Sequence, residues 1–167
     1  MENINVSKIY LIFFILLFFN CIGTVKNIND VELIVYRFKD ASVSHVYHRS
    51  YTISISESEI NITVDVYEDI IAEKDYSITS ENYSKIINVI ADAKISNKSA
   101  SEGDGCDGGK SEYLTLYKDQ EVIYSGSVYH CGGKDYGNLS GNISAVSDAL
   151  VSLIPDFDIL LSTEYLK

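Results

Sequence analysis

Two stretches in the first half of the chain alternate apolar and polar residues. One is Tyr51-Thr52-Ile53-Ser54-Ile55-Ser56, and the other is Ile60-Asn61-Ile62-Thr63-Val64-Asp65-Val66-Tyr67. A period of two places one set of side chains on a packed face and the other set in water. Glu57-Ser58-Glu59 lies between the stretches as a turn. The pattern therefore predicts an antiparallel hairpin with one buried face.

The spacing of apolar residues changes to three and four in two other places, which predicts two helices. Thr79 or Ser80 caps the first, which runs to about Lys94 and buries one stripe: Tyr83, Ile86, Ile87 and Ile90. The second begins near Asn142 and ends at Pro155. Its inward positions are Ile143, Val146, Leu150 and Ile154, and a last packed turn follows with Phe157, Ile159 and Leu160.

Three more strands are predicted: Val31–Phe38, Tyr113–Tyr117 and Val122–Cys131, the last two forming a hairpin that turns at Asp119-Gln120. The polar segments between elements are expected to be connections, at 39–48, 70–75, 96–110 and 132–141. The predicted fold class is α+β, an antiparallel sheet of about five strands with two helices on one face.

The two hairpin regions resemble one another in sequence. Tyr51 aligns with Tyr113, Glu59 with Glu121 and Tyr67 with Tyr129, all at an offset of 62; the offset becomes 60 where Ser80 aligns with Ser140. This pattern indicates either two ββα units, ββα–ββα, or a coincidence in a chain rich in Tyr, Ser and Asn.

The N-terminus has the features of an export signal. Lys8 precedes an apolar run, Ile9–Phe19, which is too short to span a bilayer comfortably and suits a signal peptide over residues 1–20. Cys21 follows directly, as in a bacterial lipobox, although Phe19 and Asn20 replace the usual small residues. We expect Cys21 to be acylated, for example with palmitate, and residues 21–30 to tether a single domain, 31–167. An ordinary signal peptide cut later and an uncleaved anchor are the alternatives.

Assigning Cys21 to lipid leaves Cys106 and Cys131. An even pair in an oxidising compartment favours a disulfide, and the register of the second hairpin brings the two nearly opposite each other. Two free buried thiols are the alternative.

The formal net charge of −11 argues against a nucleic-acid partner, because phosphates would be repelled. A polar cluster on two loops is the candidate binding surface for a protein partner in the envelope: His45, His48, Arg49, His130, Lys134, Asp135 and Tyr136. The three histidines could instead ligate zinc, but the spacing is poor and no metal or cofactor is predicted. His130 and Cys131 are adjacent in a strand, face opposite sides and form no nucleophile pair, so no catalytic residue is predicted.

Three segments resemble a family of small bacterial lipoproteins and secreted proteins: Tyr47–Ile53, Tyr129–Asp135 and Gly137–Gly141. That family has no established activity, so the resemblance implies a location and no function. At the level of architecture alone, the ββα units are similar to emfourin-type inhibitors of bacterial metalloproteases.

The combined expectation is a non-catalytic binding or structural lipoprotein of the bacterial cell envelope, held by its lipid on a membrane and facing the periplasm or the exterior. Secretion is the alternative location. Two other functions stay open: a secreted protease inhibitor that presents 96–110 as its loop, and a small hydrolase or metal-dependent enzyme.

Overall fold

A computed structural model describes residues 28–102 and 107–162 of the chain. The signal peptide and Cys21 lie outside the described residues, so both stay predictions. The strands are β1 (Leu33–Lys39), β2 (Ser50–Ser56), β3 (Glu59–Val66), β4 (Asp69–Ser77), β5 (Ser96–Ser101), β6 (Lys110–Lys118), β7 (Glu121–Cys131) and β8 (Lys134–Ser140). The helices are α1 (Ser80–Asp92), α2 (Ile143–Val151) and α3 (Phe157–Leu160).

All of these strands form one antiparallel sheet of eight strands in the order β4-β3-β2-β1-β6-β7-β8-β5. The prediction of about five strands with two helices was therefore wrong, because the molecule is dominated by sheet. Segments expected to be connections are strands: 69–77, 134–140 and 96–101. β4 and β5 are edge strands, each paired with a single neighbour, and β5 and β8 carry few apolar residues. Pairing with a neighbouring strand therefore determines their conformation more than their own sequence does.

The repeat has more elements than its sequence indicated. β2, β3, β4 and α1 form a first unit, and β6, β7, β8 and α2 form a second, so each unit is βββα and not ββα. β1 lies between the units and pairs with β2 on one side and β6 on the other. β5 has no counterpart in the first unit and lies at the far edge beside β8.

One hydrophobic cluster joins the alternate residues of the sheet to the helices. The predicted stripe of α1 is confirmed, since Tyr83, Ile86, Ile87 and Ile90 are all buried, and the oxygen of Thr79 accepts from the N–H of Asn82 as an N-cap. In α2 the side chain of Asn142 caps the helix in the same way. Ile159 was expected inside but is 57% exposed, while Leu160 beside it is buried.

We name the two ends of the sheet by the direction of β1: the proximal end is where β1 begins, and the distal end is where it finishes. At the proximal end, where β1 begins, Ile28–Asp30 forms a 3-10 turn and Lys118 donates to Asp30 at 2.8 Å. These three residues, expected in the tether, therefore belong to the domain. The distal end, where β1 finishes, carries the loop 40–49 and the turns 67–68 and 132–133. No helix among the described residues is long and apolar enough to cross a membrane.

Candidate functional site

The residues of the predicted surface all lie at the distal end, but they form two groups and not one. His45, His48 and Arg49 precede β2, whereas His130, Lys134, Asp135 and Tyr136 lie on β7 and β8. Strands β1 and β6 run between β2 and β7. Three strand spacings, roughly 14 Å, therefore separate the two groups.

His48 is a buried structural residue, which corrects the expectation that it contacts a partner. Its side chain stacks on the ring of Tyr67 with centroids 3.9 Å apart, and only 2% of the residue is exposed. The backbone N–H of Tyr67 donates to Nδ1 at 3.3 Å. Because an amide can only donate, Nδ1 has no proton and the ring is neutral. Nε2 therefore carries the proton, and it lies 3.4 Å from the hydroxyl of Ser50.

Arg49 is also buried and holds the residue that follows α3, Leu161, to the sheet. Its Nε donates to the carbonyl of Leu161 at 3.0 Å, and one terminal nitrogen donates to the carbonyl of His48 at 2.6 Å. The second terminal nitrogen is buried and has no hydrogen-bond partner among the described residues. The expected role of Arg49 on an exposed binding surface was therefore wrong.

Asp40 connects this group to the loop around it. One carboxylate oxygen accepts from the N–H of Ala41 at 2.8 Å and the other from the N–H of Arg49 at 3.1 Å. Its own N–H donates to Ser50 Oγ at 3.0 Å. The loop 40–49 is thus closed by hydrogen bonds at its base, and the side chains of its tip, including His45, are exposed.

In the second group, His130 is held between two carboxylates. Nδ1 lies 2.7 Å from Asp135 Oδ1, and Nε2 lies 2.8 Å from Glu112 Oε1. The other oxygen of Glu112 accepts from the hydroxyl of Tyr36 at 2.6 Å. The result is a continuous chain from exposed Asp135 to fully buried Tyr36, which we call the His130 chain.

Two groups of the His130 chain, His130 and Tyr36, have raised pKa values. Partial burial acts to lower the pKa of His130, but the hydrogen bonds and charges of Asp135 and Glu112 outweigh it, and the net effect raises that pKa above its ordinary value. Burial raises the pKa of Tyr36 far out of the physiological range, so its hydroxyl keeps its proton for Glu112. With both ring nitrogens bound to carboxylates, the arrangement suits a clasp between β6, β7 and β8 more than proton transfer to a substrate.

The remaining predicted residues are closer to expectation. Lys134 and Asp135 are exposed, and Tyr136 is half-buried with its ring centroid 6.4 Å from that of Tyr129. Cys106 lies outside the described residues, so its disulfide with Cys131 stays a prediction. Cys131 is buried, and its Sγ lies 3.8 Å from the carbonyl oxygen of Asp107, which follows Cys106 in the chain.

Sequence reasoning missed three residues of these groups: Asp40, Tyr36 and Glu112. Glu112 gave a usable signal, because it occupies an inward position two residues before Leu114 in a strand, where a carboxylate needs a partner. Within the described ranges, no three His, Cys, Asp or Glu residues are placed to hold a metal ion. His45, His48 and His130 are not brought together.

In comparisons with known proteins, no family model, no curated protein and no solved structure matches the chain. The function is therefore argued from the residues of the chain and their contacts.

Proposed function

We propose that the protein is a lipid-anchored, non-catalytic binding protein of the bacterial cell envelope, whose distal end contacts a protein partner. The predicted acylation of Cys21 would hold the chain at the membrane. The observation that carries the binding role is the concentration of exposed apolar side chains at the distal end. Among residues 28–102 and 107–162, nine large hydrophobic residues are exposed, and five of them lie there: Val43, Val46, Tyr47, Tyr67 and Ile70.

We call these five residues the distal patch. The hydroxyl of Tyr67 donates to the carbonyl of Val43, which ties the turn 67–68 to the loop 40–49. Tyr47 is 74% exposed and Ile70 64% exposed. Exposed apolar groups that cluster on a charged domain are typical of a protein contact surface, and Tyr is a common anchor residue there.

The direction of the chain supports this orientation. The described residues begin at the proximal end, so a lipid on Cys21 would hold that end toward the membrane. The distal patch would then project away from the bilayer, where a protein partner can reach it.

The anchor is tested with Cys21→Ser. We expect the wild type in the membrane fraction, with a mature mass that shows cleavage before Cys21 and added acyl chains. The variant should lose those chains and leave the membrane fraction. A wild-type protein with residues 1–20 attached and no acyl mass would contradict the anchor and leave the distal patch untouched.

The contact surface is tested separately in intact cells. A photo-crosslinking residue replaces Tyr47 in one variant and Val122 in a control variant, because Val122 is 55% exposed at the proximal hairpin turn. We expect a discrete adduct from position 47 and none from position 122. Equal labelling at both positions, or none at position 47, would contradict binding through the distal patch.

A further inference from the structure

A small concavity lies on the sheet face opposite the helices, beside the distal patch. Its volume is about 180 Å³. Two cations, Arg37 and Lys39, line one part of it, and two carboxylates, Asp65 and Glu68, line another. His48, Ser50 and Tyr67 complete the wall. We call it the Arg37 concavity.

The wall of the Arg37 concavity is fixed by hydrogen bonds and not by its own charges. The neutral ring of His48 joins the turn at Tyr67 to Ser50, as described above. Asp65 is about nine-tenths buried, and its Oδ1 accepts from the N–H of Glu68 at 2.9 Å. The wall is therefore already built before any ligand arrives, which lowers the cost of binding.

The charges that face the concavity are not paired with each other. Within the described part of the chain, neither Arg37 nor Lys39 forms an ion pair within 4.0 Å with Asp65 or Glu68. The Nε of Arg37 is buried and has no hydrogen-bond partner in the described part of the chain. A buried guanidinium N–H without an acceptor is costly, and no protein carboxylate among the described residues neutralises this guanidinium.

The turn that forms one wall is strained, whereas its counterpart in the second unit is not. Tyr67 and Glu68 have φ of 52° and 76°, and Gly132 and Gly133 at the matching turn have φ of 60° and 75°. Glycine adopts this left-handed region freely, but other residues do not. Strain of this kind is retained at some functional sites, and here those two side chains form the wall.

The balance of charge selects the class of ligand. With His48 neutral, the concavity presents two positive and two negative groups. A simple anion would be attracted by the two cations but repelled by the two carboxylates. A simple cation would be attracted by the carboxylates but repelled by Arg37 and Lys39. A molecule with a carboxylate and an ammonium a few ångströms apart satisfies both. The volume equals that of roughly six water molecules, which suits a compact ligand.

We infer that the Arg37 concavity binds a small zwitterion of the α-amino acid class. The carboxylate of the ligand accepts from the guanidinium of Arg37, and its ammonium donates to Asp65 and Glu68. This site does not depend on the lipid anchor or on the protein partner, so it can stand or fail independently of the proposed function.

The test is a titration of the soluble ¹⁵N-labelled domain, with the signal peptide and Cys21 removed, followed by NMR at the Arg37 Nε–Hε resonance and the Tyr67 and Glu68 amides. The probes are glycine and serine, with acetate, inorganic phosphate and methylammonium as matched controls at equal ionic strength. We expect saturable shifts with glycine or serine at roughly millimolar concentration or below, and at least tenfold weaker responses to the controls.

Three variants localise the effect. Arg37→Met and Asp65→Asn should each weaken amino acid binding at least tenfold. Lys98→Met removes the same charge as Arg37→Met from an exposed position on β5 and should leave binding unchanged. If a variant at Arg37 or Asp65 does not fold, the selectivity of the wild type for glycine over acetate still decides whether the protein binds a zwitterion. No saturable shift, an equal response to acetate or phosphate, or binding that survives Arg37→Met in a folded protein would overturn the inference.

Discussion

The two βββα units share an arrangement of strands but differ in what they build at the distal end. In the first unit the turn between β3 and β4 uses Tyr67 and Glu68, and in the second unit the turn between β7 and β8 uses Gly132 and Gly133. All four residues have positive φ. The glycines form the turn without strain, whereas the Tyr-Glu pair accepts strain and places a ring and a carboxylate at the surface.

The same contrast applies to the two histidines near these turns. His48 is neutral, fully buried and stacked on Tyr67, so its contribution is packing and two hydrogen bonds. His130 is partly exposed between Asp135 and Glu112, so its contribution depends on charge and therefore on pH. The comparison teaches that one architecture supports a rigid, preformed wall in one unit and a titratable clasp in the other.

The largest expected effect comes from removing the first histidine. His48→Ala deletes the stacked ring and leaves the buried N–H of Tyr67 without its acceptor. We expect a loss of roughly 3 kcal/mol in the free energy of unfolding, because a packing defect and a lost hydrogen bond combine. Urea denaturation measures it.

His45→Ala is the matched control, since His45 lies in the same loop with its side chain exposed. It should change the free energy of unfolding by less than about 0.5 kcal/mol. Equal stability of the two alanine variants would mean that His48 is not the residue that fixes the first turn.

The next effect comes from exchanging the two turns. Glu68→Gly relieves left-handed strain and keeps the backbone N–H that donates to Asp65, so we expect stability to rise by roughly 0.5 to 1 kcal/mol. Gly133→Glu introduces the same strain in the second unit, where open space surrounds the added side chain, and should lower stability by about 1 to 2 kcal/mol.

Thermal unfolding of both turn variants beside the wild type checks the signs. The two changes should have opposite signs. A destabilised Glu68→Gly would show that the Glu68 side chain contributes more to folding than its backbone conformation costs, and it would weaken the argument that strain is retained for the Arg37 concavity.

Local pattern was sufficient for part of this architecture. Both long helices and the two hairpins β2–β3 and β6–β7 are confirmed, because an apolar stripe, an N-cap and strict alternation are written in neighbouring residues. β5 could not be predicted, since Ser96–Ser101 contains a single apolar residue and forms a strand only through its pairing with β8. β4 was missed because it is a charged edge strand with only Ala72 buried.

The candidate site was predicted from sequence as one polar cluster on two loops. The structure places those residues in two groups at the distal end, with β1 and β6 between β2 and β7. The partners that bury His48 and Arg49 are distant in sequence: Tyr67 is 19 residues from His48, and Leu161 is 112 residues from Arg49. Charged residues in a loop are usually exposed, so only the tertiary contacts reveal that these two are structural.

The smallest expected effect is the pH dependence of the clasp in the second unit. The pKa of His130 is raised in the folded state, so its protonated form is stabilised by folding. This contribution is fully present below the ordinary histidine pKa, near 6.5, and is lost as pH rises through the higher folded-state pKa. Because the side chain is 35% exposed, solvent screening should keep the effect below about 1 kcal/mol.

The measurement is the urea midpoint of wild type, His130→Gln and His45→Gln between about pH 5.5 and pH 9, a window around the ordinary histidine pKa. The groups that face His130 are Glu112 on β6 and Asp135 on β8, with Tyr36 of β1 behind Glu112. We expect the wild type and His45→Gln to lose stability together as pH rises, and His130→Gln to show a flatter profile. If His130→Gln keeps the wild-type slope, the titrating group lies elsewhere and the second unit is as insensitive to pH as the first.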